Sequence, residues 1–74
     1  MVDKTDVEIL WTLKQSPNNV LSILDIVEKN KRLSINEELK KKLLFLSEDR
    51  MIDSCFIAGH GVHYLIKQKG EELI

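Results

Sequence analysis

Lys40, Lys41 and Lys42 form an unbroken run of three lysines. Ammonium groups carried on a helix surface can neutralise phosphates and release the counterions condensed on a nucleic-acid backbone. Ile35 and Asn36 lie just ahead of the run, and with Lys40 they stand where contacts to bases would be made; an asparagine amide can pair with adenine through both its polar atoms. His60, with Lys67 and Lys69 behind it, could meet backbone or groove in the same way. Trp11, Leu44 and Phe45 are large apolar side chains off the main helical stripes, and such side chains anchor protein contacts. Each group also has a plainer role open to it. A lysine run can be a solvated helix face, and a short chain often keeps its one Trp in the core.

Other chemistries lack their residues. His60, His63 and Cys55 match no standard metal-ligand spacing, and His63 and Cys55 are expected to face different sides of their strands. No serine, cysteine or carboxylate pair has an activating neighbour, and no glycine-rich phosphate loop follows a strand. The expectation is a protein that is not an enzyme and uses neither metal nor cofactor.

At 74 residues the chain is one small domain, residues 1–74, near the lower limit for a self-sufficient core, so that oligomerisation would help it. The 43% hydrophobic and 31% charged composition is that of an ordinary globular protein, not a disordered one. One cysteine rules out an intrachain disulfide, and no signal segment or long apolar span opens the chain, so a cytoplasmic location away from membranes is expected.

A net charge of −1 argues at first against a nucleic-acid partner. Its distribution reverses the argument. Residues 29–69 hold nine basic and five acidic residues, net +4, and the remainder holds two basic and seven acidic, net −5. The molecule is therefore polar, with one region suited to an anion.

These residues need elements to position them. Ser34 followed by Glu37 is a capping box that would start a helix at Ile35 and carry it to Arg50, with Leu39, Leu43 and Leu46 facing a core and Glu37, Lys41 and Glu48 facing out. Thr5 with Glu8 would cap a first helix from about Asp6 to Gln15, its apolar positions being Val7, Ile9, Leu10 and Leu13. Ser16-Pro17-Asn18-Asn19 ends it, and Val20-Leu21 can add a short strand. Ser22 and Asp25 open a second helix burying Ile23, Ile26 and Val27, which would end near Asn30 in the left-handed conformation, with Leu33 as an apolar plug beyond. Residues 52–57 and 62–66 read as strands joined by Ala58-Gly59-His60-Gly61, with Ile52, Phe56, Tyr64 and Ile66 mostly on one face, and residues 67–74 as a turn and short helix.

In order, these elements resemble the winged helix-turn-helix domain of bacterial and archaeal transcriptional regulators, including the multiple-antibiotic-resistance, arsenical-resistance and phenolic-acid-responsive groups. Leu39-Lys-Lys-Lys-Leu-Leu-Phe-Leu-Ser-Glu-Asp-Arg-Met-Ile52 is similar to the family's recognition helix, and Tyr64-Leu-Ile-Lys-Gln-Lys-Gly70 to the close of its wing. The resemblance implies an α+β fold: a three-helix core, a two- or three-stranded wing hairpin and a short C-terminal helix. It further implies that the third helix enters the DNA major groove while the wing touches adjacent backbone. Arg50 stands where the family usually has glycine, so the turn from helix to strand needs another geometry, which costs little if the residue stays right-handed. Glu37 and Glu38 would face phosphates unless one accepts from a cytosine amino group, and Leu44 and Phe45 replace usually polar residues.

Two functions follow as expectations. The first is a DNA-binding transcriptional regulator that contacts double-stranded DNA through Ile35, Asn36, Lys40, Lys41, Lys42, His60, Lys67 and Lys69. The alternative is a winged helix that binds protein instead, through Glu37, Glu38, Leu44 and Phe45. Trp11, Leu44 and Phe45 leave room for a homodimer or another protein partner in either case.

Overall fold

The computed structural model describes residues 3–16 and 20–74. The expected stop at Pro17, Asn18 and Asn19 lies outside the described residues. Helix α1 (Lys4–Lys14) begins earlier than Thr5 and Glu8 suggest. Asp3 accepts from the Asp6 amide, and Asp6 accepts from the Asp3 amide, each at 3.0 Å. Glu8 is not free to cap because its carboxylate bonds Asn30 and Arg32, far away in sequence. Ile9, Leu10 and Leu13 are buried as expected, whereas Val7 is exposed.

Strand β1 (Leu21–Ser22) leads into α2 (Ile23–Lys29), which Ser22 caps as expected, and the Asp25 carboxylate returns a bond to the Ser22 amide to make the cap reciprocal. Ile26 is buried, with Ile23 and Val27 packed against the core beside it. Asn30 ends α2 in an extended conformation, φ −130° and ψ 100°, rather than the left-handed one. Its side chain instead ties the turn to α1, donating to Glu8 Oε2 at 2.7 Å and to Thr12 Oγ1 at 3.1 Å.

Helix α3 (Glu37–Glu48) is shorter than the expected span of 35–50. Asn36 is its cap, accepting from the Leu39 amide at 2.8 Å, so Ser34 and Ile35 precede the helix. Asparagine caps as well as serine, and a box partner at the third helical position is not required. Leu39, Leu43 and Leu46 are buried along one side, as their spacing predicts.

The end of α3 corrects the reading of Arg50, which is left-handed at φ 63°. The Met51 amide donates to the Leu46 carbonyl at 2.9 Å and the Arg50 amide to Ser47 at 3.1 Å, while Met51 and Leu46 are both buried. This paired arrangement satisfies the last carbonyls of a helix and normally uses glycine at its left-handed position. Arg50→Gly is therefore expected to stabilise the protein by about 1 kcal/mol, because a side chain at that φ is disfavoured by roughly that amount. Thermal denaturation checks it, and an unchanged or lowered midpoint contradicts it.

Strands β2 (Ile52–Ile57) and β3 (Gly61–Ile66) form the hairpin, and β3 also pairs with β1, giving a three-stranded antiparallel sheet in the order β1-β3-β2. Gly59 and Gly61 take φ 82° and 81° at the tip, which suits glycine. Ile52 pairs with Ile66 at the buried base, whereas Phe56 pairs with Val62 further out. Phe56 shares the face of Ile52 yet is 75% exposed: it lies towards the tip of the ribbon, and among the described residues none covers it there. Helix α4 (Gln68–Glu72) returns to the base, where Gly70 is buried. The whole is an α+β winged-helix arrangement: three helices, a β1-supported hairpin and a closing helix on one apolar core.

Candidate nucleic-acid interface

The outward side of α3 carries two of the three lysines of the run. Three buried leucines fix the helix rotation, and this leaves Glu37, Lys40, Lys41, Leu44, Phe45 and Glu48 exposed. No other described part of the chain covers them. Lys40 and Lys41 are therefore available, with Lys40 Nζ resting 3.7 Å from Glu37 Oε1 in an exposed pair that holds it only weakly.

Lys42 leaves this set. It lies a quarter-turn round the helix with its side chain only 17% exposed, bonded to Asp3 and 3.8 Å from Asp6. The bond to Asp3, followed by the nearby Asp6 charge, holds its ammonium above the ordinary lysine value, and Lys42 in turn holds the Asp3 carboxyl low. Spacing places Lys42 beside Lys41, but α1 supplies two carboxylates that only the tertiary fold brings there. Lys42 joins α3 to the start of α1.

Asn36 and Ile35 keep their location ahead of the helix, with Ile35 exposed. The Asn36 side-chain oxygen already caps the helix, so only its amide nitrogen remains to meet a base. His60 is exposed at the wing tip. Lys67 opens α4 as its cap residue, and the Lys69 ammonium donates to the Asp49 carbonyl at 2.9 Å, where a cation also complements the C-terminal end of α3. Arg50, exposed at the joint between helix and wing, adds a cation that spacing did not single out.

The charge of the α3 surface is not basic. Lys40 and Lys41 face Glu37, Glu38 and Glu48, a net of −1, so this surface is itself slightly acidic and cationic charge comes only from flanking residues such as Arg50, Lys67 and Lys69. Apolar area accompanies it: Leu44 is 58% exposed and Phe45 61%. Neither packs beneath the wing. Trp11 is half exposed on α1, away from the core that its size suggested.

Cys55 and His63 are directly paired across β2 and β3, so they share a face rather than facing opposite sides. Two residues on one face do not make a metal set, and His63 Nδ1 lies 3.1 Å from the Gly61 carbonyl. Among the described residues no group of three or more His, Cys, Asp or Glu gathers as ligands. Nor, among them, is any helix long and apolar enough to cross a membrane.

No protein-family model and no curated protein matches the sequence. Among solved structures, the chain is similar to the ferric uptake regulator of Francisella tularensis, determined with iron, with a TM-score of 0.76 and 21% sequence identity. The match covers 92% of this chain and 54% of that one, so the chain spans about half the length of the protein it matches. At this identity the likeness establishes the fold, a winged helix.

Proposed function

We propose that this chain is a DNA-binding winged-helix unit of a transcriptional regulator, with α3 entering the major groove and the wing lying along the neighbouring backbone. The observation that carries the reading is the bare outward side of α3, presenting Lys40 and Lys41, next to a glycine-tipped ribbon. The likeness to a regulator supports it at the level of fold. In this reading Lys40, Lys41, Arg50 and Lys67 neutralise phosphates, Asn36 and Ile35 approach base edges, and His60 touches backbone from the wing tip. Lys42 takes no part, being committed to Asp3 and Asp6.

Four phosphate contacts imply a modest salt dependence. A plot of log affinity against log salt concentration should have a slope of about −3.6, at ~0.9 per contact on duplex DNA. Lys40→Glu with Lys41→Glu should lower affinity at least about tenfold and make the slope shallower by about 2, without changing the fold. Titration of labelled duplex DNA at several salt concentrations measures both. Affinity that ignores salt, or that survives the double reversal, ends the DNA reading.

The exposed Leu44 and Phe45 favour a second reading, in which the same side of α3 grips an apolar protein surface with Glu37 and Glu48 at its rim. The two readings separate on one pair of substitutions. Leu44→Ser with Phe45→Ser should leave the salt slope on DNA intact, but should abolish binding if a protein is the partner.

A further inference from the structure

A second apolar surface lies on α1 and α4, sharing no residue with the α3 and wing surface. Val7, Trp11 and Leu73 are 40%, 50% and 48% exposed and, with Ile74, line a shallow groove of about 300 Å³. Lys4, Val7, Trp11 and Lys14 are spaced i, i+3, i+7 and i+10 along one stripe of α1, so that an apolar centre has a lysine at each end. The Lys14 ammonium sits over the Trp11 ring, 5.5 Å from its centre. Across the groove, Glu71 and Glu72 are exposed on α4 beside Leu73. Among the described residues none of these two lysines and two glutamates forms an ion pair within the chain.

We infer that this surface binds a second copy of the same chain, α1 of each copy lying on α4 of the other around a two-fold axis. A two-fold contact requires a self-complementary patch. Here one border is cationic and the other anionic, and a half-turn about the middle of the groove brings each onto its opposite. The apolar centre then covers a half-exposed tryptophan, the type of side chain that most often anchors interfaces. Covering the half-exposed Trp11 also stabilises the folded form by mass action. The patch is small, so the association belongs in the micromolar range rather than the nanomolar.

The test uses the chain itself. Sedimentation equilibrium over a concentration series should show a monomer–dimer equilibrium, with the fluorescence of the single tryptophan shifting to shorter wavelength as the dimer forms. Trp11→Glu should weaken the dimer at least about tenfold. A charge-reversal pair is the sharper experiment. Lys4→Glu with Lys14→Glu, and Glu71→Lys with Glu72→Lys, should each be monomeric alone, because each then presents like charges on both borders. Mixed in equal amounts they should dimerise, since both contacts of the mixed pair join opposite charges. Circular dichroism of each variant alone confirms that it folds. A chain that stays monomeric throughout the series, a dimer untouched by Trp11→Glu, or folded reversed variants that ignore each other on mixing would overturn the inference. DNA binding by Lys40 and Lys41 is measured separately, so either conclusion can fail without the other.

Discussion

Replacing Gly70 by alanine should destabilise the protein by about 3 kcal/mol, in the upper part of the range for forcing extra volume into a packed site. Helix propensity alone gives the opposite sign, since alanine in a helix is favoured over glycine by about 1 kcal/mol. Contact decides between them. A Cβ at position 70 would lie 2.3 Å from the Met51 carbonyl oxygen, 3.0 Å from Leu10 Cδ2 and 3.2 Å from Ile66 Cγ1. The leucine could turn away, but the carbonyl cannot easily move. It accepts from the Lys67 amide at 3.0 Å, and the Met51 amide closes the end of α3. Relief must come from lifting α4 off the core, which also uncovers Met51 and Ile66. A domain of this length has roughly 4–11 kcal/mol of total stability at ~0.05–0.15 kcal/mol per residue. The loss should therefore lower the thermal midpoint by roughly 15 °C or more. Urea unfolding checks the free energy, and a Gly70→Ala protein as stable as the parent would show that α4 does not approach the Met51 carbonyl this closely.

The second large effect should come from Asn30→Ala, at about 2 kcal/mol, as expected for losing hydrogen bonds of which one is to a charged group. Asn30 joins the turn after α2 to Glu8 and Thr12 of α1, and its side-chain oxygen receives the Arg32 amide at 3.0 Å. Arg32 completes the cluster with a 3.0 Å bond to Glu8 Oε1. Hydrogen bonds from Asn30 and then Arg32 hold the Glu8 carboxyl below the ordinary glutamate value. A native value lower than the unfolded one means that the contribution is complete above the ordinary glutamate range and disappears as pH falls through the lowered native value. The parent should thus lose stability on acidification, and Asn30→Ala should flatten part of that loss by returning Glu8 towards its ordinary value. Stability measured near pH 7 and again in the acid range would reveal this narrowing difference. A gap that stays constant with pH would separate Asn30 from Glu8 ionisation.

The placement of α4 and of Asn30 shows where sequence reading stops. Gly70 is visible in the sequence as the end of a wing-closing motif, but its buried contact with Met51 exists only once hairpin and helix have folded back. Glu8 reads locally as a capping residue for Thr5. A competing donor 22 positions away takes it instead, and Asp3 with Asp6 caps the helix. Arg50 is a similar case: the need to reverse the chain directly after a buried Leu46 sets its backbone, and residue type only sets the cost.

By itself the sequence determined the order of elements, the Leu39, Leu43 and Leu46 seam, the cap at Ser22 and the glycine-tipped hairpin. Each follows from interactions within a few residues or from the period of apolar side chains, and these survive into any fold that buries the seam. Tertiary structure alone decided which lysines remain available and which apolar residues stay uncovered. Lys42 was taken by carboxylates 39 and 36 positions away, and Trp11, Leu44 and Phe45 stayed outside because the core closed without them. Long-range pairing depends on which helices end up adjacent, and no local pattern encodes that.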